Sequence, residues 1–203
     1  MFKKLLSVAT LMTVSGSCYA SIPDRDTEAK VDVTVNEEKA VPITKEIPVP
    51  KSWLCPGCNE NEQYVLEQLQ ERTKITDRNA LATIMGNIKQ ESKFIPNICE
   101  GGARVSYNRC YSGGYGLIQW TTAGRYYGLG SFCKKYGCDP SSLKGQLRYM
   151  VNENQFQKNL PYFEGSGMTV GYYMNAAYSW LGWGIHGART NYSYDYTKKF
   201  SFS

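Results

Sequence analysis

Apolar side chains recur at helical spacing in four stretches of the chain. Val65, Leu66 and Leu69 lie within a Glu/Gln-rich run and predict an amphipathic helix over about residues 60–73. Leu81, Ile84, Met85 and Ile88 follow at i, i+3, i+4 and i+7, with Thr76 or Asp77 placed to cap the start and Pro96 beyond the end. Asp139, Pro140 and Ser141 open a third helix that turns Leu143, Leu147, Met150 and Val151 inward. Thr169 opens the last one, with Val170, Tyr173, Met174 and Ala177 on one face. Over residues 99–120 glycine and tyrosine dominate and no helical period holds, which predicts loop with room for a small hairpin. There is no internal repeat. The pattern predicts an α+β class, mostly α, with a small β or loop insert.

The N-terminal part reads differently. Residues 1–20 have a basic start (Lys3, Lys4), an apolar stretch and small residues up to Ala20. That is the layout of a secretory signal peptide, shorter than the roughly 20 apolar residues of a membrane span. A buried N-terminal helix is the competing reading, and a lipid anchor at Cys18 lacks the usual aliphatic residue before it. Cleavage after Ala20 leaves no stable membrane anchor. Residues 21–54 carry Pro23, Pro42, Pro48 and Pro50, charges of alternating sign and one aromatic, Trp53, so they read as a flexible linker. Residues 55–203 form the folded domain, expected as a monomer.

Six cysteines follow the signal: Cys55, Cys58, Cys99, Cys110, Cys133 and Cys138. An even number after an export signal argues for disulfides, with sequence-adjacent pairing the simplest connectivity. A zinc site is the alternative, weakened because His186 is the single histidine. No metal or other cofactor is implied. The net charge of +5 sits on the folded part and favours an anionic partner. No Lys/Arg-dense run marks a nucleic-acid tract, so a wall polymer or a membrane surface ranks above nucleic acid.

Glu91 changes the picture. It lies seven residues after Ile84 and three after Ile88, so at about 100° per residue it shares their apolar face. Burial, the negative end of the helix and the lack of Lys or Arg on its own stripe all disfavour its anion. Such a carboxyl group can keep a proton near neutrality, as general-acid cleavage of a glycosidic bond requires. The bland alternative is a glutamate at a frayed helix end that reaches water.

The run IMGNIKQESKFIP, followed by GGYGLIQWT, resembles the lysozyme superfamily and within it the phage tail lysozyme group. Lytic transglycosylases and goose-type lysozymes are similar more distantly. The resemblance covers about residues 77–187. It implies a lysozyme-like helical domain that cleaves peptidoglycan glycan strands, with Glu91 as catalytic acid and Ser92 beside it. It also implies that Gly116, Leu117, Ile118 and Gln119 line a saccharide cleft. Ala177, Tyr178 and Ser179 match the family's Ala-Tyr-Asn element in part, with Ser179 in place of Asn and Tyr178 approaching the acid.

The chemistry of sugar binding fits these positions. Pyranose rings call for amide donors and acceptors and for flat aromatic faces, which Gln119 and Trp120 offer beside glycines that let backbone approach a ligand. Tyr115, Tyr126 and Tyr178 are further candidates, each with core packing as the competing role; Trp180 and Trp183 read as core. Glu100, nine residues after Glu91, is the candidate second carboxylate, either orienting water or idle on its loop. If it is idle, the sugar's own 6-hydroxyl could attack, as in lytic transglycosylases. A zinc amidase lacks its histidines and a Cys–His peptidase its free thiol. A non-catalytic wall-binding or virion structural protein accounts for the aromatics and the charge, but not for an acid at this helix end. The signal peptide implies a secreted or periplasmic protein, with association to a virion open if the gene is a phage's.

Overall fold

The computed structural model describes residues 51–111 and 113–203, which fold around one central helix. The expected signal peptide and most of the expected linker lie outside the described residues. A short strand, β1 (Trp53–Leu54), leads into α1 (Glu60–Arg72) and the central α2 (Arg78–Ser92). An irregular insert with a 3-10 turn at Tyr107–Arg109 follows. The chain then forms α3 (Ala123–Tyr136), α4 (Leu143–Asn152), α5 (Asn154–Phe163), α6 (Val170–Leu181), α7 (Arg189–Lys199) and β2 (Ser201–Phe202). The class is α+β and mostly α, as the periodicity implied.

Local chemistry explains the boundaries. Asn59 and Glu62 close a capping box at the start of α1. Asp77 caps α2, accepting from the amides of Asn79 and Ala80 at 2.8 and 3.1 Å, and Thr169 caps α6. The α6 helix is not the last, however. The polar α7 follows it and packs along α2, which is buried on nearly every side from Ala80 to Ile88. A Cβ at Gly86 would lie 2.5 Å from the backbone N of Ser193 and 2.8 Å from its Cα. The missing side chain is therefore what lets the two backbones approach.

The last two residues of the expected linker form a short strand. Trp53 and Leu54 pair antiparallel with Phe202 and Ser201, the Trp53 ring lies 4.9 Å from that of Phe202, and its indole N–H donates to Thr76 O at 2.8 Å. The insert is the expected loop, closed by isolated bridges between Cys99 and Tyr115 and between Tyr115 and Trp120. Disulfides join Cys55 to Cys58, Cys99 to Cys110 and Cys133 to Cys138, the sequence-adjacent pairing.

One buried acid organises the other half. Glu153 sits between α4 and α5 with its side chain only 3% exposed. Its Oε1 accepts from Trp180 Nε1 at 3.1 Å and Arg125 Nη2 at 2.6 Å; its Oε2 accepts from Trp120 Nε1 at 3.2 Å and Arg125 Nε at 3.0 Å. A buried carboxylate needs such a full set of donors. It fastens α3, α6 and the insert to one point.

Two stability outcomes follow. Gly86→Ala should destabilise the protein in denaturant unfolding even though alanine gains about 1 kcal/mol in helix propensity, because its methyl group would overlap backbone rather than a flexible side chain. Glu153→Gln removes the charge partner of Arg125 and should cost about 3–5 kcal/mol in the same measurement.

Candidate active site

Glu91 is the penultimate residue of α2, and its side chain is 15% exposed. Directly after the helix, Lys93 and Phe94 take φ of 52° and 63°. Left-handed backbone at non-glycine residues costs about 1–3 kcal/mol each. Burial of the Phe94 ring, edge-on to Tyr196, and the hydrogen bond from Asn61 Nδ2 to Phe94 O at 3.0 Å offset that cost. The sharp turn ends α2 at the acid and leads the chain into the insert.

The loop of residues 116–119 is held against this helix end from two sides. The hydroxyl of Ser92 donates to Leu117 O at 2.7 Å, and Leu117 N donates to Gln146 Oε1 at 2.7 Å. Gln146, fully buried on α4, also donates to the carbonyls of Pro96 and Pro140 at 2.6 and 2.8 Å. A Cβ at Gly116 would meet the Gln146 amide at 2.4 Å, so that glycine admits a clamp rather than a ligand. Sequence reasoning overlooked Gln146; the only signal was a polar residue on the inward stripe of α4.

The electrostatics at Glu91 come from other helices. Arg189, in the first turn of α7, donates through Nη2 to Glu91 Oε1. Its Nη1 donates to the carbonyls of Ile185 and His186, both at 2.9 Å, and its guanidinium lies 4.7 Å from the centroid of the Trp183 ring. No Lys or Arg lies on the Glu91 stripe of α2, and the cation that reaches Glu91 comes from α7. Burial pushes the Glu91 carboxyl above its ordinary value of 4.5, Arg189 pulls it back by charge and hydrogen bond, and Arg125 adds a smaller pull; burial wins.

The other expected site residues divide into two groups. Ser92, Tyr115 and Trp120 are buried and act beneath the site: the Tyr115 hydroxyl donates to Val105 O at 3.1 Å and the Trp120 indole to Glu153. Gln119 is half-buried with φ of 52°, its amide turned back onto Gly116 O at 3.0 Å. Tyr178 is 56% exposed, its ring 5.2 Å from Trp183. Trp180 is core, whereas Trp183, expected there too, is only half-buried and lies under Arg189. Tyr126 stacks on Tyr107 at 4.4 Å, and the two help line an open cleft of about 600 Å³ with Asn108, Tyr111 and Tyr127. Glu91 is not part of that lining.

Glu100 is exposed, and it is tied to the insert rather than to Glu91. Its Oε2 accepts from Gly114 N at 3.0 Å, and its backbone N donates to Gly114 O at 2.8 Å. A Cβ at Gly113 would fall 1.7 Å from the same carboxylate oxygen, so only glycine lets the side chain fold across this segment.

The described residues thus place a half-buried acid at a helix end, a loop pinned beside it and, apart from that acid, an aromatic cleft. The family model of phage tail lysozymes matches residues 60–191. The chain belongs to the phage tail lysozyme family. Membership implies a lytic enzyme with peptidoglycan as its substrate. No curated protein matches the chain. The family match runs from the start of α1 into α7, so it includes Glu91, the 116–119 loop and Arg189 and stops short of β2.

The raised pKa sets a pH dependence of stability. Ionisation of Glu91 opposes folding as pH rises through the unfolded value and up to the folded one. Glutamine mimics the protonated acid, and at low pH Arg189 faces a neutral partner in both proteins. Glu91→Gln should therefore match the unsubstituted protein at low pH and become relatively more stable toward neutrality, as read from denaturant midpoints at several pH values.

Proposed function

We propose that the enzyme cleaves the β-1,4 bond between N-acetylmuramic acid and N-acetylglucosamine, with Glu91 as general acid. The observation that carries this is a half-buried carboxyl group at the end of α2, raised by burial and set beside the pinned 116–119 loop. Protonated Glu91 gives its proton to the glycosidic oxygen as the C1–O bond breaks. An oxocarbenium-like centre forms at C1, and water attacks it, leaving its proton on the carboxylate that Glu91 has become. Gln119, Tyr126 and Tyr178 contact sugar, and Gly116, Ser92, Tyr115 and Trp120 shape the surface beneath. Glu100 is the candidate to orient the water.

A second reading rests on the place of Glu100. Its carboxylate is engaged with Gly114, and the charges acting on Glu91 are the cations Arg189 and Arg125. A single acid then serves as acid and base in turn, and the sugar's 6-hydroxyl attacks C1 to leave a 1,6-anhydro end. Export through the N-terminal signal places either activity in the periplasm or outside the cell, where the wall is.

Digestion of purified peptidoglycan with mass spectrometry of the products tests both readings: reducing ends mark hydrolysis and 1,6-anhydro ends transglycosylation. Glu91→Gln should lower turnover about 10²–10⁴-fold while wall binding persists. Glu100→Gln should cause a comparable loss in a two-carboxylate muramidase and little loss in a single-acid enzyme. Absence of turnover by the unsubstituted protein would leave a non-catalytic wall-binding or virion structural role.

A further inference from the structure

We infer that Arg189 is a positioning residue of the wall-cleaving reaction: one guanidinium joins Glu91 to the loop of residues 182–188 and fixes which carboxyl oxygen carries the proton. The inference rests on Glu91 being the acid.

Three observations carry it. The first is the division of the guanidinium's donors. Nη2 holds Glu91 Oε1, while Nη1 holds the carbonyls of Ile185 and His186. An oxygen that accepts from a permanent cation is the poorer site for a proton, so protonation goes to Oε2. No donor among the described residues reaches Oε2, and the side chain keeps a 15% opening. The anchored oxygen and the proton-bearing one are thereby told apart before substrate arrives.

The second is the contrast with the other buried pair. Glu153 takes donors on both oxygens, two of them from Arg125, as a purely structural carboxylate should. Glu91 is held by one oxygen only. Arg189 itself is 6% exposed, with its Nε buried and unpartnered among the described residues. Its place is thus set by the three acceptors and by the Trp183 face rather than by full satisfaction of its own donors.

The third is how the loop is attached. Gly182, Gly184, Ile185, His186 and Gly187 are exposed, Ile185 by 83%. The loop reaches α2 through Ala188 N to Gln90 Oε1 at 2.9 Å and through Arg189 to Glu91. Trp183 connects it to Tyr178, the exposed ring expected to meet sugar. Loss of charge at Glu91 therefore weakens one of these two bonds between the loop and α2. The other charged groups around the pair are accounted for: Arg125 is paired with Glu153, Lys89 lies 3.9 Å from Glu62 and against the Tyr192 ring, and His186 Nε2 contacts Thr190 Oγ1 at 3.1 Å.

The test compares Arg189→Met and Arg189→Lys with the unsubstituted enzyme on purified peptidoglycan. Activity falls at high pH as Glu91 loses its proton, and the kcat/KM profile reports that group in the free enzyme. In Arg189→Met this limb should move to higher pH, because the cation that stabilised the anion is gone. Its kcat should fall about 10–100-fold with little change in KM, as misplacement of an acid does. Arg189→Lys keeps the charge but not the fork, so its limb should stay near the original position while kcat remains low. A limb in Arg189→Met that coincides with the unsubstituted one, with Glu91→Gln inactive, overturns the role of Arg189 and leaves the acid in place. An active Glu91→Gln overturns the acid itself.

Hydrogen exchange keeps the proposal testable if neither Arg189 variant folds. After correction for intrinsic rates, protection of residues 182–188 in the unsubstituted protein should fall as pH drops and Glu91 gains its proton. Glu91→Gln should show no such pH dependence. Protection that is independent of pH in both proteins overturns the coupling.

Discussion

Bringing a guanidinium into a nearly closed space beside a carboxyl group is the constraint on which the rest of this structure depends. A guanidinium there needs acceptors, and those at Glu91, Ile185 and His186 require that two helices distant in sequence meet closely and in one register. Gly86 is the notch that permits it, letting the backbone of α7 settle on α2 so that Arg189 reaches Glu91. The hydroxyl of Tyr196, two turns further along α7, donates to buried Glu62 of α1 and holds the far end of the same contact. The pairing of β1 with β2 then closes the chain over it.

The insert is organised by the same logic, with buried polar side chains as partners. Leu117 and Ile118 anchor residues 116–119 in the core, and directional bonds fix the orientation of their backbone. Ser92 takes the carbonyl of Leu117, Gln146 takes its amide, and Glu153 takes the indole of Trp120. The partners lie on α2, on α4 and at the junction of α4 with α5, and so the position of the loop follows their relative placement. That is why the residue beside the acid, Ser92, is a fastening rather than a sugar contact: its hydroxyl is already used.

Two cations near one acid resolve an apparent conflict. A general acid wants its proton retained, and a nearby Arg favours losing it. Burial is the stronger influence at Glu91, while the Arg189 bond remains available to stabilise the carboxylate after the proton has left. In the proposed reaction, where the acid later acts as a base, both serve it.

Much of this was legible in the sequence, because apolar periodicity reports burial directly. The α1, α2, α4 and α6 helices, their caps at Asp77 and Thr169, the cysteine pairing and the exceptional place of Glu91 all follow from residue spacing and type. The α3 helix is notched by glycines where Tyr149 and Tyr107 pack over it, α5 carries Pro161, and α7 is polar throughout, so none of them shows a clear apolar stripe. What only the tertiary structure decided is who partners whom. Arg189 meets Glu91 from 98 residues away, Gln146 meets Leu117 from 29, and Glu153 gathers two tryptophans and an arginine. Spacing within one helix describes a single face; the partner on the facing helix is set by packing, which no local pattern records.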